Sequence, residues 1–324
     1  MLPQRRPLFA LLPVLILIGA CAPQWRAEHY RDHTLTGRIW SVDEALFVAR
    51  AELLAALAPV DFVLLGETHD NPDHHLLQAE IVTAMTDAGR RPMLAFEMID
   101  ASQAEALAAH LAAAPKDAAG IGPAIGWEKA GWPDWALYQP VAEAGLAAGL
   151  GLRAANMSRS EARGLAKSGL DGAREGLVER LMLDQPLPEA ETESLHKEID
   201  EAHCGYAPKE MIAAMALAQT ARDAQMAHAM SAGENADGAI LIAGAGHARR
   251  DRGVPFHLRR MAPSSTITSL AFIEVLEAAH SVTDYGKYFD DTDPPFDYVW
   301  FTPRVDIRDA CERFEEQLKK MKGW

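Results

Sequence analysis

An open α/β sheet with helices on both faces, plus a helical insertion or cap, is the fold this sequence predicts. Three observations carry it. Two runs, Phe62-Val-Leu-Leu-Gly66 and Ile240-Leu-Ile-Ala-Gly244, are short, apolar and end at glycine, as strands buried on both faces do. Strand-like segments alternate with helical ones along the chain, the pattern of a largely parallel sheet. Both runs also deliver a histidine three residues past the glycine, in Gly66-Glu67-Thr-His69 and Gly244-Ala-Gly-His247, just beyond the strand ends where open α/β sheets place ligands.

At the start of the chain, Arg5 and Arg6 precede an apolar stretch to Ile18 that is too short to span a bilayer comfortably. It has the form of a secretory signal, so residues 1–20 are expected to be removed. Ile18-Gly-Ala-Cys21 resembles the cleavage box of bacterial lipoproteins, which makes Cys21 the expected lipidation site and residues 21–40 a tether and lead-in. Ordinary cleavage after Ala20 is the alternative. Ala22, standing where an aspartate would signal inner-membrane retention, points by resemblance to the periplasmic face of the outer membrane. Loss of residues 1–20, which hold two arginines and no acid, takes the formal charge from −15 to −17. So acidic a body is a poor partner for nucleic acid, whose affinity rests on phosphate neutralisation. No later apolar run is long enough for a transmembrane helix.

Residues 41–324 then read as one domain. Ser41-Val-Asp-Glu44 has the form of a capping box and predicts a helix to Leu57. After the strand at Phe62–Gly66, Asn71-Pro72 supplies a cap and a first-turn proline for a helix to Ala88. Met93–Phe96 predicts a strand ending at Glu97, and an alanine-rich helix covers 101–113. A Gly/Pro-bearing stretch with Trp127, Trp132, Trp135 and Tyr138 leads to a helix over Pro140–Ala148. Gly151–Ala155 is a weaker strand ending at Asn156. An insertion over about 157–236 follows: short helices broken at Gln185-Pro-Leu-Pro188, then a long helix from Pro208 to Ala232. Ala239–Ala243, Ile267–Ile273 and Tyr298–Phe301 complete the strands, and Val305–Lys320 reads as a closing helix. Tyr285–Pro295 reads as an exposed loop whose aspartates, Asp290, Asp291 and Asp293, lack calcium-loop spacing. Cys204 and Cys311, the pair left once Cys21 is lipidated, suit either one disulfide or two inert thiols.

Glu67, His69, Glu97, Asn156 and His247 all fall at or just after strand carboxyl ends, and a parallel sheet gathers those ends along one rim. Two carboxylates and two imidazoles in one crevice suit a divalent metal or a general acid and base. Taken singly, each residue has a structural alternative. His74 and Gln78 share a helix face and either approach the crevice or lie exposed with His75 in the first turn; Asp70 and Asp73 stabilise that helix start. The aromatic cluster fills a core or lid, or stacks on a macrocycle. The methionines 211, 215, 226 and 230 form a stripe expected in the core, with Gln219, Arg222 and Asp223 beside it. Arg249, Arg250 and Arg252 meet an anionic group, such as the propionates of a porphyrin, or form a solvated turn.

These phrases together resemble a known family. Gly66-Glu-x-His69-Asp, His74-His-x-x-Gln78, Phe96-Glu97-Met, Trp135-x-x-Tyr138-x-Pro140, Ala155-Asn156, His203-Cys-Gly205, Gln219-x-x-Arg222-Asp223-x-x-Met226-Ala and Gly244-x-Gly-His247-x-Arg249-x-x-x-Gly253-Val-Pro255 are similar, in number and order, to the ChaN family of haem-binding lipoproteins over residues 40–260. The resemblance implies an α/β fold, haem as ligand, a role in haem or iron acquisition or storage, a homodimer around haem and a haem-uptake receptor as partner. It also implies a tyrosine ligand to the iron, for which Tyr138 is the candidate. The superfamily joins ChaN to Tiki proteases and erythromycin esterases, which implies a rival: a metal-dependent hydrolase in which His69, His247 and one or both of Glu67 and Glu97 bind Mn²⁺, Co²⁺ or Zn²⁺ and the remaining glutamate activates water.

Overall fold

A computed structural model describes residues 24–232, 237–289, 293–309 and 311–312. Strands β1 (Ile39–Ser41) and β2 (Leu46–Val48) precede α1 (Arg50–Leu57), β3 (Phe62–Glu67), α2 (Pro72–Asp87) and β4 (Met93–Asp100). Then come α3 (Ala104–Ala113), α4 (Ile121–Ile125), α5 (Trp135–Ala147) and β5 (Leu152–Asn156). Four helices fill the next stretch: α6 (Arg159–Ser168), α7 (Leu177–Leu181), α8 (Glu189–Ala202) and α9 (Lys209–Ser231). The chain continues through β6 (Ala239–Gly244), α10 (Val254–Met261), β7 (Ile267–Glu274), α11 (Val282–Tyr288) and β8 (Tyr298–Thr302). These strands form one sheet in the order β2-β1-β8-β7-β3-β6-β4-β5, parallel from β8 to β5 and antiparallel at the β1 and β2 edge.

Alternation along the central strands builds two cores. Val63, Leu65, Ile240 and Ile242 face α2 and α5, whose Leu77, Ile81, Tyr138 and Val141 fill one layer. Their neighbours Phe62, Leu64, Leu241 and Ala243 face the other way, onto Met226 and Met230 of α9 and Val254 and Leu258 of α10. Burial on both faces explains why β3 and β6 carry no polar residue before their last turn. Asn71 caps α2 by accepting from the Asp73 amide, with Pro72 at the first helical position.

Several expectations give way to the tertiary structure. Ser41–Glu44 opens no helix: Val42 to Ala45 turn the chain between β1 and β2, with Ala45 at φ 51°, and β1 pairs with β8. The helix starts at Arg50 instead, where Glu52 accepts from the Ala49 amide at 2.6 Å. Residues 24–38 pack on the body, and the amides of Arg26 and Ala27 donate to buried Asp73. Helix α5 begins at Trp135 under an Asp134 cap and carries Pro140 inside it. Helix α11 occupies part of the stretch read as a loop. Cys204 and Cys311 are disulfide-bonded. The closing helix expected from Val305 does not begin there, since residues 305–309 are not helical; residues 1–23 with Cys21, Asp290 and Asp291, and residues 313–320 lie outside the described residues. Among the described residues, no helix is long and apolar enough to cross a membrane.

Candidate functional site

Strand β6 lies between β3 and β4, so the carboxyl ends of the two Gly-x-x-His segments come out side by side, with Glu67 in register with Gly244. Both glycines are required by close approach. A Cβ on Gly66 would stand 2.8 Å from Ala248 Cβ and 2.9 Å from Ala245 Cα, in the turn after β6. At Gly244 a Cβ would stand 3.0 Å from His69 Nε2, so the missing side chain is the space the imidazole occupies. The pairing of β4 with β5 shifts after Phe96, where Glu97 leaves the ladder and turns onto the same rim.

Glu67 is the hub of the β3 side. Its Oε1 accepts from Tyr138 Oη and from His69 Nδ1, each at 3.0 Å. Its Oε2 lies 3.0 Å from His75 Nδ1, an ion pair without an aligned hydrogen bond, because that nitrogen points to Gln78 Oε1 at 3.2 Å. His75 Nε2 donates to the His69 carbonyl at 3.1 Å. Both His75 nitrogens face acceptors: burial opposes its charge, but Glu67 outweighs burial and raises its pKa. Burial alone would raise the Glu67 pKa; the charge of His75 and the hydrogen bond from His69 hold it far below the usual carboxylate range.

A second chain of contacts runs from β4 to α9. Glu97 accepts from the Gly244 amide at 2.7 Å, and its other oxygen lies 3.2 Å from His247 Nε2. His247 Nδ1 meets Asp223 Oδ1 at 2.5 Å, with Gln219 Nε2 at 3.5 Å. A buried imidazole between two carboxylates takes up a proton: burial opposes the charge, yet Glu97 and Asp223 raise the His247 pKa well above its ordinary value. Burial would raise Glu97 too, but His247 brings it down to about 2. Burial pushes Asp223 up to about 6 against the pull of His247.

The two systems meet at Glu97, which lies 4.0 Å from His69 Nε2. Of the sequence-predicted site residues, Glu67, His69, Glu97 and His247 are thus brought together. Asn156 is buried at the end of β5, in register with Asp100, and its side chain accepts from the Met157 amide. His69 is the most open of the four: its side chain is 32 % exposed, and its ring lies edge-on to Trp132 with centroids 4.9 Å apart. Burial disfavours charge on His69, but Glu67 and Glu97 raise its pKa.

His74, His75 and Gln78 are buried, not exposed. His74 accepts from the Thr68 amide at 2.9 Å and donates to Thr302 Oγ1 at 2.7 Å, and burial lowers its pKa to about 3, so it is neutral. It ties the loop carrying His69 to β8. Arg249, Arg250 and Arg252 do not form a solvated turn. Arg249 grips Asp251 at 2.6 and 3.1 Å, Arg250 pairs with Asp43 and Asp297, and Arg252 bonds Ser194 and Glu198. In the sequence Asp223 stands beside the methionine stripe and inside the phrase Gln219-x-x-Arg222-Asp223, and its i, i+4 spacing from Gln219 signals that the two share a face. Nothing local pointed to His247 as its partner.

Most donors on the rim are engaged by one another. Both nitrogens of His247 face carboxylates, and His69 Nδ1 is held by Glu67, leaving His69 Nε2, 4.0 Å from Glu97, without a hydrogen bond among the described residues. Among the described residues, no group of three or more His, Cys, Asp or Glu is arranged as metal ligands. Beside the rim, past Thr68 and Gly246, lies a cavity of about 810 Å³ with Phe272, Leu276 and Phe289 in its wall and the Cys204–Cys311 bridge at its edge.

Comparison with known proteins adds family and fold. A family model described as haem-binding uptake, Tiki superfamily, ChaN, matches residues 53–258, a span that includes both Gly-x-x-His segments. A solved structure of ChaN of Campylobacter jejuni with cofacial haem binding is similar over 81 % of this chain and 95 % of that one, with 20 % identity and a TM-score of 0.64; the likeness is one of fold. The structure of the type III effector HopBA1 is similar over 78 % of this chain and 91 % of that one, with 17 % identity and a TM-score of 0.42. No curated protein matches the chain in sequence.

Proposed function

The chain belongs to the ChaN family of the Tiki superfamily, described as haem-binding uptake proteins, and from that premise we propose that it binds haem at the rim where the two Gly-x-x-His segments meet. The observation that carries this reading is the family match across both segments. The donor set fits the group. A ligating histidine characteristically gives its second N–H to a carboxylate, and His69 has that arrangement with Glu67. Haem supplies a Lewis-acidic iron and two carboxylates. His69 Nε2 would hold the iron, and the Trp132 ring beside it supplies flat apolar surface. A proton competes for the same nitrogen, so binding is expected to tighten as pH rises through the raised His69 pKa.

Tyr138 does not suit the ligand role that the family resemblance implies. Its ring is fully buried, its hydroxyl donates to Glu67, and burial together with Glu67 pushes its ionisation far above the ordinary range. It positions Glu67, and through it His69.

Apo-protein titrated with haemin should show a saturable, shifted Soret band, weakened at least tenfold in His69→Ala. Folded wild-type protein that gives no saturation would remove the reading. We further propose that Cys21 carries lipid, that the protein faces the periplasm from the outer membrane, and that it serves haem or iron acquisition. Cys21→Ser should then move the protein from the membrane fraction to the soluble periplasm.

A further inference from the structure

On the rim, Arg222 is a guanidinium that no carboxylate binds among the described residues. Arg222 lies on α9 between residues already placed at the site: Gln219, one turn before it, and Asp223, beside it, both reach His247. Residues 219, 222 and 223 share a helix face, so Arg222 leaves α9 on the side that meets the ends of β4 and β6. It is partly exposed, and among the described residues it makes no hydrogen bond or ion pair.

The carboxylates whose charge it feels are already engaged. Glu97 holds the Gly244 amide and His247, Asp100 caps the turn at Ser102, and Asp223 is bound to His247. A second guanidinium, exposed Arg159 at the start of α6, lies within reach of Arg222, repels it, and has the Ala130 carbonyl as its partner. Two neighbouring guanidinium groups without a carboxylate ligand invite an anion, above all a planar one that takes two parallel N–H bonds. The arginines that the sequence offered for this task, Arg249, Arg250 and Arg252, are all occupied by internal acids.

We propose that Arg222, supported by Arg159, binds a carboxylate of the ligand at this rim, so that the site selects acid-bearing planar ligands over their neutral esters. This rests on the haem reading and adds to it the anchor for the ligand's acidic edge. Burial lowers the Arg222 pKa, opposing its charge.

Three probes separate the possibilities: haemin, haemin dimethyl ester, whose carboxylates are masked, and metal-free protoporphyrin IX, which keeps the carboxylates and lacks iron. Wild-type protein should bind haemin about tenfold more tightly than the diester. Arg222→Gln should lose that preference, binding haemin about as weakly as the diester, and should also weaken for protoporphyrin IX. Arg222→Lys should keep part of the preference, and Arg159→Gln should reduce it less. An Arg222→Gln protein that unfolds at the wild-type midpoint and keeps the wild-type preference overturns the proposal. So does wild-type protein that binds haemin and its diester alike, which leaves haem binding itself intact. Failure of wild-type protein to bind haemin removes both readings.

Discussion

Gly244→Ala tests how the two Gly-x-x-His segments depend on each other. The new Cβ would lie 3.0 Å from His69 Nε2, 3.2 Å from its Cε1 and 3.7 Å from Glu97 Oε2. Strand β6 has no room to retreat, because it is buried between β3 and β4 and its last amide is bonded to Glu97. The imidazole therefore gives way, by roughly 0.5 Å to regain ordinary contact. Its ring is held by Glu67 on one side and Trp132 on the other, so the shift takes the side chain off its rotamer, at about 1 kcal/mol. Misaligning the bond to Glu67 adds about 1 kcal/mol. Urea unfolding at pH 7 should show a loss of about 1–2 kcal/mol, and nitrogen-detected NMR should show the His69 ring resonances displaced. Haemin affinity should fall by about tenfold for each 1.4 kcal/mol of lost ligation. Unchanged His69 resonances together with unchanged haemin affinity would refute the claim that the absent side chain is what admits the imidazole.

Gly66→Ala meets the Cα and Cβ of the turn after β6 instead of a movable ring, so its cost should fall on the fold: about 1–3 kcal/mol in urea unfolding, with an intact midpoint as the contrary result. Reduction of the Cys204–Cys311 bridge releases a loop of 107 residues and should lower stability by about 2–4 kcal/mol; thermal unfolding with and without dithiothreitol measures it, and coincident curves would count against it. His74 is held neutral with a pKa of about 3, below its unfolded value, so the stability it contributes is present above pH 6.5 and lost as pH falls from there toward 3. Glu97, held at about 2, adds a contribution present above pH 4.5 and lost as pH falls through about 2. By pH 3 the two together should withdraw on the order of 5 kcal/mol. His74→Gln should flatten the slope below pH 6.5 by about one proton, and an unchanged slope would show that His74 does not carry it. His75 and His247 act with opposite sign: their raised values contribute stability present below pH 6.5 and lost as pH rises through them.

By itself the sequence determined the parallel α/β sheet and the strand ends at which Glu67, His69, Glu97 and His247 stand. The physical reason is that burial on both faces writes itself into consecutive residues, and a parallel sheet then collects its carboxyl ends on one side. Where local signals serve two purposes, sequence misled: Ser41-x-x-Glu44 suits a helix cap and equally a turn between edge strands, and pairing with β8 decided for the turn. The partners of the charged groups were decided by tertiary structure alone. Asp223 lies 24 residues from His247, Tyr138 lies 71 from Glu67, and His74 lies 228 from Thr302. Coulomb and hydrogen-bond energies depend on approach in space, so only the docking of α2, α5 and α9 onto the sheet decides that His75 and His247 have raised pKa values, that His74 has a lowered one, and that Arg222 meets no carboxylate among the described residues.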